Sequence, residues 1–77
     1  MRIHIQLKLF ATFLEKMPAN ADLFPVAEGT TVANLADLIG IDPTDAKLIF
    51  INGRKAALDS VLVEGDRVGL FPPVGGG

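Results

Sequence analysis

The side chains able to do chemistry are few, and their spacing forms no catalytic set. Of 77 residues one is histidine, His4, and none is cysteine. Without a thiol there is no disulfide framework, thiolate metal site, iron–sulfur cluster or catalytic cysteine. A single imidazole cannot build a His-rich zinc site, and His4 falls on the polar side of an alternating stretch, where it reads as a surface residue. Asp42, Asp45, Asp59, Glu64 and Asp66 sit among turn-forming residues, where such side chains shape the backbone or face solvent. No glycine-rich loop joins a strand to a helix, so nothing cradles a phosphate. The chain is expected to have no active site of its own and to bind no metal or cofactor.

One stretch stands apart, Phe71-Pro72-Pro73-Val74-Gly75-Gly76-Gly77. Its ordinary reading is a frayed terminus. Yet Pro-Pro favours a stiff, extended exit, so the tail leaves the body of the domain instead of folding back. The four residues after Pro73 reach at most about 13–14 Å, enough to enter a partner's active site. Glycine lacks a β-carbon, so such a tail passes a narrow channel and offers its carboxylate to attack.

Composition sets the frame for that tail. The sequence is 49% hydrophobic and 21% charged, with net charge −2 from 7 basic and 9 acidic residues. This describes one small globular domain, read as residues 1–73, followed by a flexible tail over 74–77. The basic residues are scattered along the sequence, which argues against nucleic acid as a ligand. No apolar run reaches membrane-spanning length, and the first residues alternate instead of forming a signal segment, so the expected compartment is the cytoplasm.

The elements that must position the tail are set by periodicity. Ile3, Ile5, Leu7 and Leu9 alternate with His4, Gln6 and Lys8, the pattern of a half-buried strand, which leaves Phe10 on the polar face. Ala11 to Ala21 reads as a short helical turn and a loop. Residues Leu23 to Ala27 form a strand that Pro25 confines to an edge. Val32, Leu35, Ala36 and Ile39 have helical spacing, with Thr31 as N-cap and Gly40 at the left-handed position past the end. Asp42-Pro43 starts a further helical turn. Leu48 to Ile51 is an apolar strand, and Asn52-Gly53 is the chemistry of a type I′ hairpin returning through Arg54 to Ala57. Leu58 to Val63 reads as an irregular crossover. Arg67 to Phe71 is the last strand, stopped by Pro72-Pro73. Five strands and one amphipathic helix imply an α+β fold: one mixed sheet of four to five strands covered on one face by the helix, a β-grasp or ubiquitin-like roll. In it the first and last strands are parallel neighbours, placing Phe10 and Phe71 together on the open face. Phe50 joins them if Ile49 and Ile51 face the core. Truncating Phe71 is then expected to cost partner binding and hardly any stability.

With these residues in view, the sequence resembles the MoaD/ThiS ubiquitin-like sulfur carriers over nearly its whole length. The resemblance rests on the first strand running into Phe10-Ala11, on Gly29-Thr30-Thr31-Val32, on Ile51-Asn52-Gly53, on Glu64-Gly65-Asp66-Arg67-Val68, and on Phe71-Pro72-Pro73-Val74 before the glycines. It departs in ending on three glycines where the family has two, and in carrying Leu14 where members resembling the molybdopterin synthase small subunit have Arg. The resemblance implies that an ATP- and Mg-using, ubiquitin-activating-type enzyme adenylates Gly77, with Gly75 and Gly76 as the slender approach. Sulfur transfer then leaves a thiocarboxylate for a second enzyme, the molybdopterin synthase large subunit or an equivalent acceptor, in pterin (molybdenum or tungsten) cofactor synthesis. Phe10, Phe71, Pro72, Pro73 and Val74 are the expected partner-binding residues. A carrier for the thiamine thiazole and a protein modifier forming isopeptide bonds are the alternatives, since all three use the same activated tail.

Overall fold

The computed structural model describes residues 1–73 and shows the expected roll. Strands β1 (Arg2–Leu9), β2 (Phe24–Ala27), β3 (Leu48–Ile51), β4 (Arg54–Lys55) and β5 (Arg67–Phe71) form one sheet in the order β2-β1-β5-β3-β4. Among the described residues one α-helix, α1 (Val32–Leu38), covers one face. β5 pairs in parallel with β1, Leu9 opposite Leu70, and antiparallel with β3, Ile49 opposite Leu70. β2 lies at the edge, with Pro25 opposite His4, where a missing N–H costs no central ladder bond.

The core lies between the helix and the sheet. Ile3, Ile5, Leu7 and Leu9 meet Val68, Leu70 and Ile49 from the sheet, and Val32, Leu35 and Ala36 from the helix, all buried. The helix begins with a full capping box. Thr31 Oγ1 accepts from the Asn34 N–H at 3.2 Å, and Asn34 Oδ1 accepts from the Thr31 N–H at 3.3 Å. Reciprocal bonds of this kind satisfy two donors that a helix start otherwise leaves orphaned. Gly40, at φ +83°, ends it in the left-handed conformation its lack of a β-carbon permits.

Three details differ from the expected outline. Between β1 and β2 the chain makes two 3-10 turns, Ala11–Lys16 and Ala21–Leu23, and the first buries Phe13 against the core. The return of the hairpin is short, Arg54–Lys55, with Ala56 N–H still donating to Ile49 O at 2.8 Å. The irregular crossover carries a core residue: Leu62 is 1% exposed and its N–H donates to Thr30 O at 2.8 Å. That bond, and the bridge between Thr31 and Val61, fasten the crossover to the start of the helix.

Candidate functional site

Alternation along the strands sends every second side chain away from the helix, and three of these are phenylalanines. Leu9 faces the core opposite Leu70, so Phe10 and Phe71, one residue on in parallel strands, turn outward side by side. Their rings stack with centroids 4.1 Å apart and planes 1° from parallel. Phe50 lies opposite Gly69 in the β3–β5 pairing and meets Phe71 edge-on, at 5.7 Å and 81°. The three rings wall an open groove of about 260 Å³ with Gly69 as its floor and Lys8 and Arg67 at its rim.

Gly69 makes the groove possible. A β-carbon there would lie 3.5 Å from Phe10 Cε2 and 4.0 Å from Phe50 Cβ, ordinary contact distances for a methyl group. Any larger side chain would occupy the space between the rings. A glycine inside a strand pattern is the sequence signal for such close approach, and it can be read before any fold is drawn.

Phe71 is half-buried by its two aromatic neighbours, and Phe10 is 37% exposed. Their placement on the open face agrees with the sequence reading, but the energetic expectation for Phe71 needs correcting. A stacked aromatic pair contributes about 0.5–1.5 kcal/mol beyond buried area, so truncating Phe71 costs stability as well as any docking. Immediately after it, Pro72 is half-buried and Pro73 exposed. The remaining tail residues named from sequence, Val74, Gly75, Gly76 and Gly77, lie outside the described residues.

Between the hairpin tip and the start of β5 is a polar clamp that the sequence reading did not find. Asp66, read there as a turn or solvent-facing residue, is only 6% exposed. Its Oδ1 accepts from Asn52 Nδ2 at 2.9 Å and its Oδ2 from the Val63 N–H at 2.9 Å. Asn52 Oδ1 in turn accepts from the Arg67 N–H at 2.9 Å, and Asn52 N–H donates to Arg67 O at 2.8 Å. Asn52 and Gly53 have φ +55° and +80°, the two left-handed residues of a type I′ turn. The hairpin tip is thereby fixed to the start of β5, while the spacing of Phe50 and Phe71 is set by the β3–β5 ladder, with Phe50 opposite Gly69 and Leu48 opposite Phe71. Two blocks separated in sequence, Ile51-Asn52-Gly53 and Glu64-Gly65-Asp66-Arg67-Val68, are thus one structural unit. Composition offered no sign that Asp66 is buried, because Glu64-Gly65-Asp66 is also ordinary turn chemistry.

His4 lies beside Glu64, whose Oε1 accepts from the His4 N–H at 3.0 Å and stands 3.9 Å from Nδ1. No group of three or more potential metal ligands occurs among the described residues. No helix of the described residues is long and apolar enough to cross a membrane.

A helix-covered mixed sheet whose central strand carries an aromatic patch and runs straight into Pro-Pro defines a ubiquitin-like β-grasp protein of the small carrier or modifier type. The ThiS family profile matches residues 7–77, and the chain belongs to that family. Among solved structures it is similar to small archaeal modifier protein 1 from Haloferax volcanii, with 31% identity, 94% of this chain, 99% of that one and TM-score 0.66. The HVO 2177 protein of Haloferax volcanii gives 27% identity, 99% and 88% coverage and TM-score 0.72. A Pyrococcus furiosus protein described as molybdopterin converting factor, subunit 1, gives 28% identity, 94% and 99% coverage and TM-score 0.62. No curated protein gave a significant match.

Proposed function

We propose that this chain is a sulfur carrier serving the synthesis of a pterin cofactor of molybdenum or tungsten. The observation that carries the reading is continuity within a ThiS-family chain: Phe71 closes the aromatic patch, and the next residues are Pro72, Pro73 and the tail. A partner seated on the patch is therefore next to the segment that ends in Gly77.

A terminal carboxylate has a reference pKa of about 3.3–3.7, so it is ionised at neutral pH and a poor electrophile. Attack of that carboxylate on the α-phosphorus of ATP, with loss of pyrophosphate, makes an acyl adenylate. A persulfide sulfur on a donor displaces AMP, and cleavage of the resulting acyl disulfide by a thiol leaves the thiocarboxylate. ATP, Mg and the catalytic groups belong to the activating enzyme; this chain contributes a docking face of Phe10, Phe71, Pro72, Pro73 and Val74 and a tail narrow enough to enter. The acceptor is a molybdopterin synthase large subunit or its equivalent, and the setting is the cytoplasm.

Similarity to the Pyrococcus protein supports the pterin reading, and similarity to small archaeal modifier protein 1 supports attachment to lysines as a second one. Intact-mass analysis of the protein from its native host, with alkylation of any thiocarboxylate, separates them. Alkylation is needed because replacing oxygen by sulfur changes the mass almost as oxidation of Met1 or Met17 does. An alkylated terminal fragment supports the carrier; lysine conjugates without any alkylated terminus overturn it. A terminus that thiolates but passes its sulfur to a thiazole precursor moves the chain to the thiamine branch.

A further inference from the structure

Strand β2 is an edge of the sheet, and its outer side leaves two main-chain groups unused. The phase of the β1–β2 ladder follows from the bonds around it. Glu28 N–H donates to Met1 O at 2.7 Å. Both main-chain groups of His4 turn the other way, its N–H to Glu64 Oε1 at 3.0 Å and its O to the Gly65 N–H at 2.8 Å. His4 lies opposite Pro25 and Arg2 opposite Ala27, so these are the non-hydrogen-bonded pairs, and the main-chain groups of Pro25 and Ala27 point out of the edge. Pro25 has no N–H to offer. Ala27 O already accepts from the Thr30 N–H at 3.1 Å and from Thr30 Oγ1 at 2.6 Å. What remains is one acceptor, Pro25 O, and one donor, Ala27 N–H, neither with a partner among the described residues.

We propose that a second copy of this chain occupies that edge, β2 pairing antiparallel with its counterpart about a two-fold axis at Val26. In this register the Ala27 N–H of each copy donates to Pro25 O of the other. The two positions left over, the Pro25 nitrogen and Ala27 O, are the ones that need no bond, the first for want of a proton and the second because Thr30 already serves it. Other pairings of two copies fail. Ala27 opposite Ala27 sets donor against donor, and Pro25 opposite Pro25 sets acceptor against acceptor. A parallel copy fails as well, because the bridging residue of a parallel ladder must offer both an N–H and a C=O. Proline on an edge ordinarily blunts it against stray strands, and here it leaves one self-pairing open. The facing side chains are Phe24 with Glu28, Pro25 with Ala27 and Val26 with Val26, so no like charges oppose each other. An open groove of about 710 Å³ beside the edge, walled in part by Pro25, Val26 and Leu38, meets its counterpart across the axis and covers a Leu38 that is 63% exposed in the single chain. The contact is isologous and closes on itself, so it stops at a dimer. Its two sheets become one, with both aromatic grooves on the same side and the two β5 strands running in opposite directions.

An interface one strand wide belongs to the small, transient class, so half of the chains are expected to pair at about 0.1–1 mM protein. The test is sedimentation equilibrium and amide hydrogen exchange on the full-length protein between about 0.02 and 2 mM. The mass should rise from that of one chain towards that of two. Over the same range exchange of the Ala27 N–H should slow about threefold or more, as mass action fills the dimer. The amide of Lys55, on β4 at the far edge, should exchange at a constant rate. Ala27→Pro removes the donor without breaking a ladder bond inside the chain and should raise the dimer midpoint at least about tenfold, with circular dichroism checking that the fold is kept. Exchange at Ala27 in the unmodified protein decides the matter even where that variant does not fold. A single-chain mass throughout overturns the proposal. So does a dimer in which the Ala27 N–H exchanges at a constant rate, because the contact then lies on another face. Slowing of Ala27 by an acetylated hexapeptide of alternating valine and lysine, in a protein that stays monomeric, gives the edge to a foreign strand instead.

Discussion

Replacing Asp66 by alanine removes an acceptor on which two donors depend. Asn52 Nδ2 and the Val63 N–H each lose a bond of 2.9 Å to a carboxylate that is only 6% exposed. Bonds to a charged acceptor contribute about 1.5–3 kcal/mol each, and the buried carboxylate offsets part of that by its own desolvation. The expected loss is about 2–4 kcal/mol, against a total of about 3–5 kcal/mol for a domain of this size. At about 4–8 °C per kcal/mol the midpoint of thermal unfolding should fall by about 10–30 °C. Asp66→Asn has the same shape and keeps one acceptor, but turns an N–H toward an N–H at the other contact, so it should lose about half as much. Far-UV circular dichroism through thermal and urea unfolding measures both variants. A midpoint for Asp66→Ala within about 3 °C of the unmodified protein would refute the clamp, because then neither bond contributes to the folded state.

Phe71→Ala should cost about 1–2 kcal/mol of stability through the lost stack and half-buried ring, and at least about fivefold in affinity for the activating enzyme; affinity unchanged by calorimetry would take Phe71 out of the docking face. Asp42 is held below the ordinary carboxylate value by hydrogen bonds from the Thr44 N–H at 3.0 Å and Thr44 Oγ1 at 2.8 Å. Its contribution to stability is therefore present above 3.8, the ordinary value, and is lost as pH falls through the lowered folded value. Thr44→Ala should raise the carboxyl midpoint in an NMR titration without restoring it fully, since the backbone bond remains. Deleting Gly77 should remove most pyrophosphate exchange while leaving fold and docking intact, because one residue of reach, about 3.3–3.6 Å, exceeds the positional tolerance of a near-attack geometry; full activity would make the third glycine surplus.

What was legible in the sequence is what repeats locally. The alternation of Ile3 to Leu9, the 3.6-residue spacing of Val32 to Ile39, the cap at Thr31 and the Asn52-Gly53 turn each announce themselves within a few residues, and all are present. The apolar run Leu48-Ile49-Phe50-Ile51 has no alternation, so its register is decided by pairing with β5, which sends Phe50 outward. Leu62 was hidden for a similar reason: it lies in a segment without a period, and backbone bonds from that segment to the start of the helix place it in the core. Asp66 was hidden because burial of a carboxylate depends on donors brought from elsewhere in the chain, here Asn52 and Val63. Phe10 and Phe71, by contrast, were placed correctly by parity alone, since one residue beyond a core position in each strand is an outward one.

β1 and β5 are parallel neighbours, one beginning at Arg2 and the other ending at Phe71. A force drawing those two ends apart therefore acts along the strands and across the bonds between them. Their hydrogen bonds bear such a load together, in shear, whereas β4, pairing with β3 through only Arg54 and Lys55, can be unzipped one bond at a time. Resistance to forced unfolding is a matter of rate, set by the barrier to that shear rather than by equilibrium stability. A machine pulling on Pro73 against a held Arg2 thus meets the fold along its strongest axis. One gripping the hairpin tip at Gly53 would peel the same sheet open at far lower force.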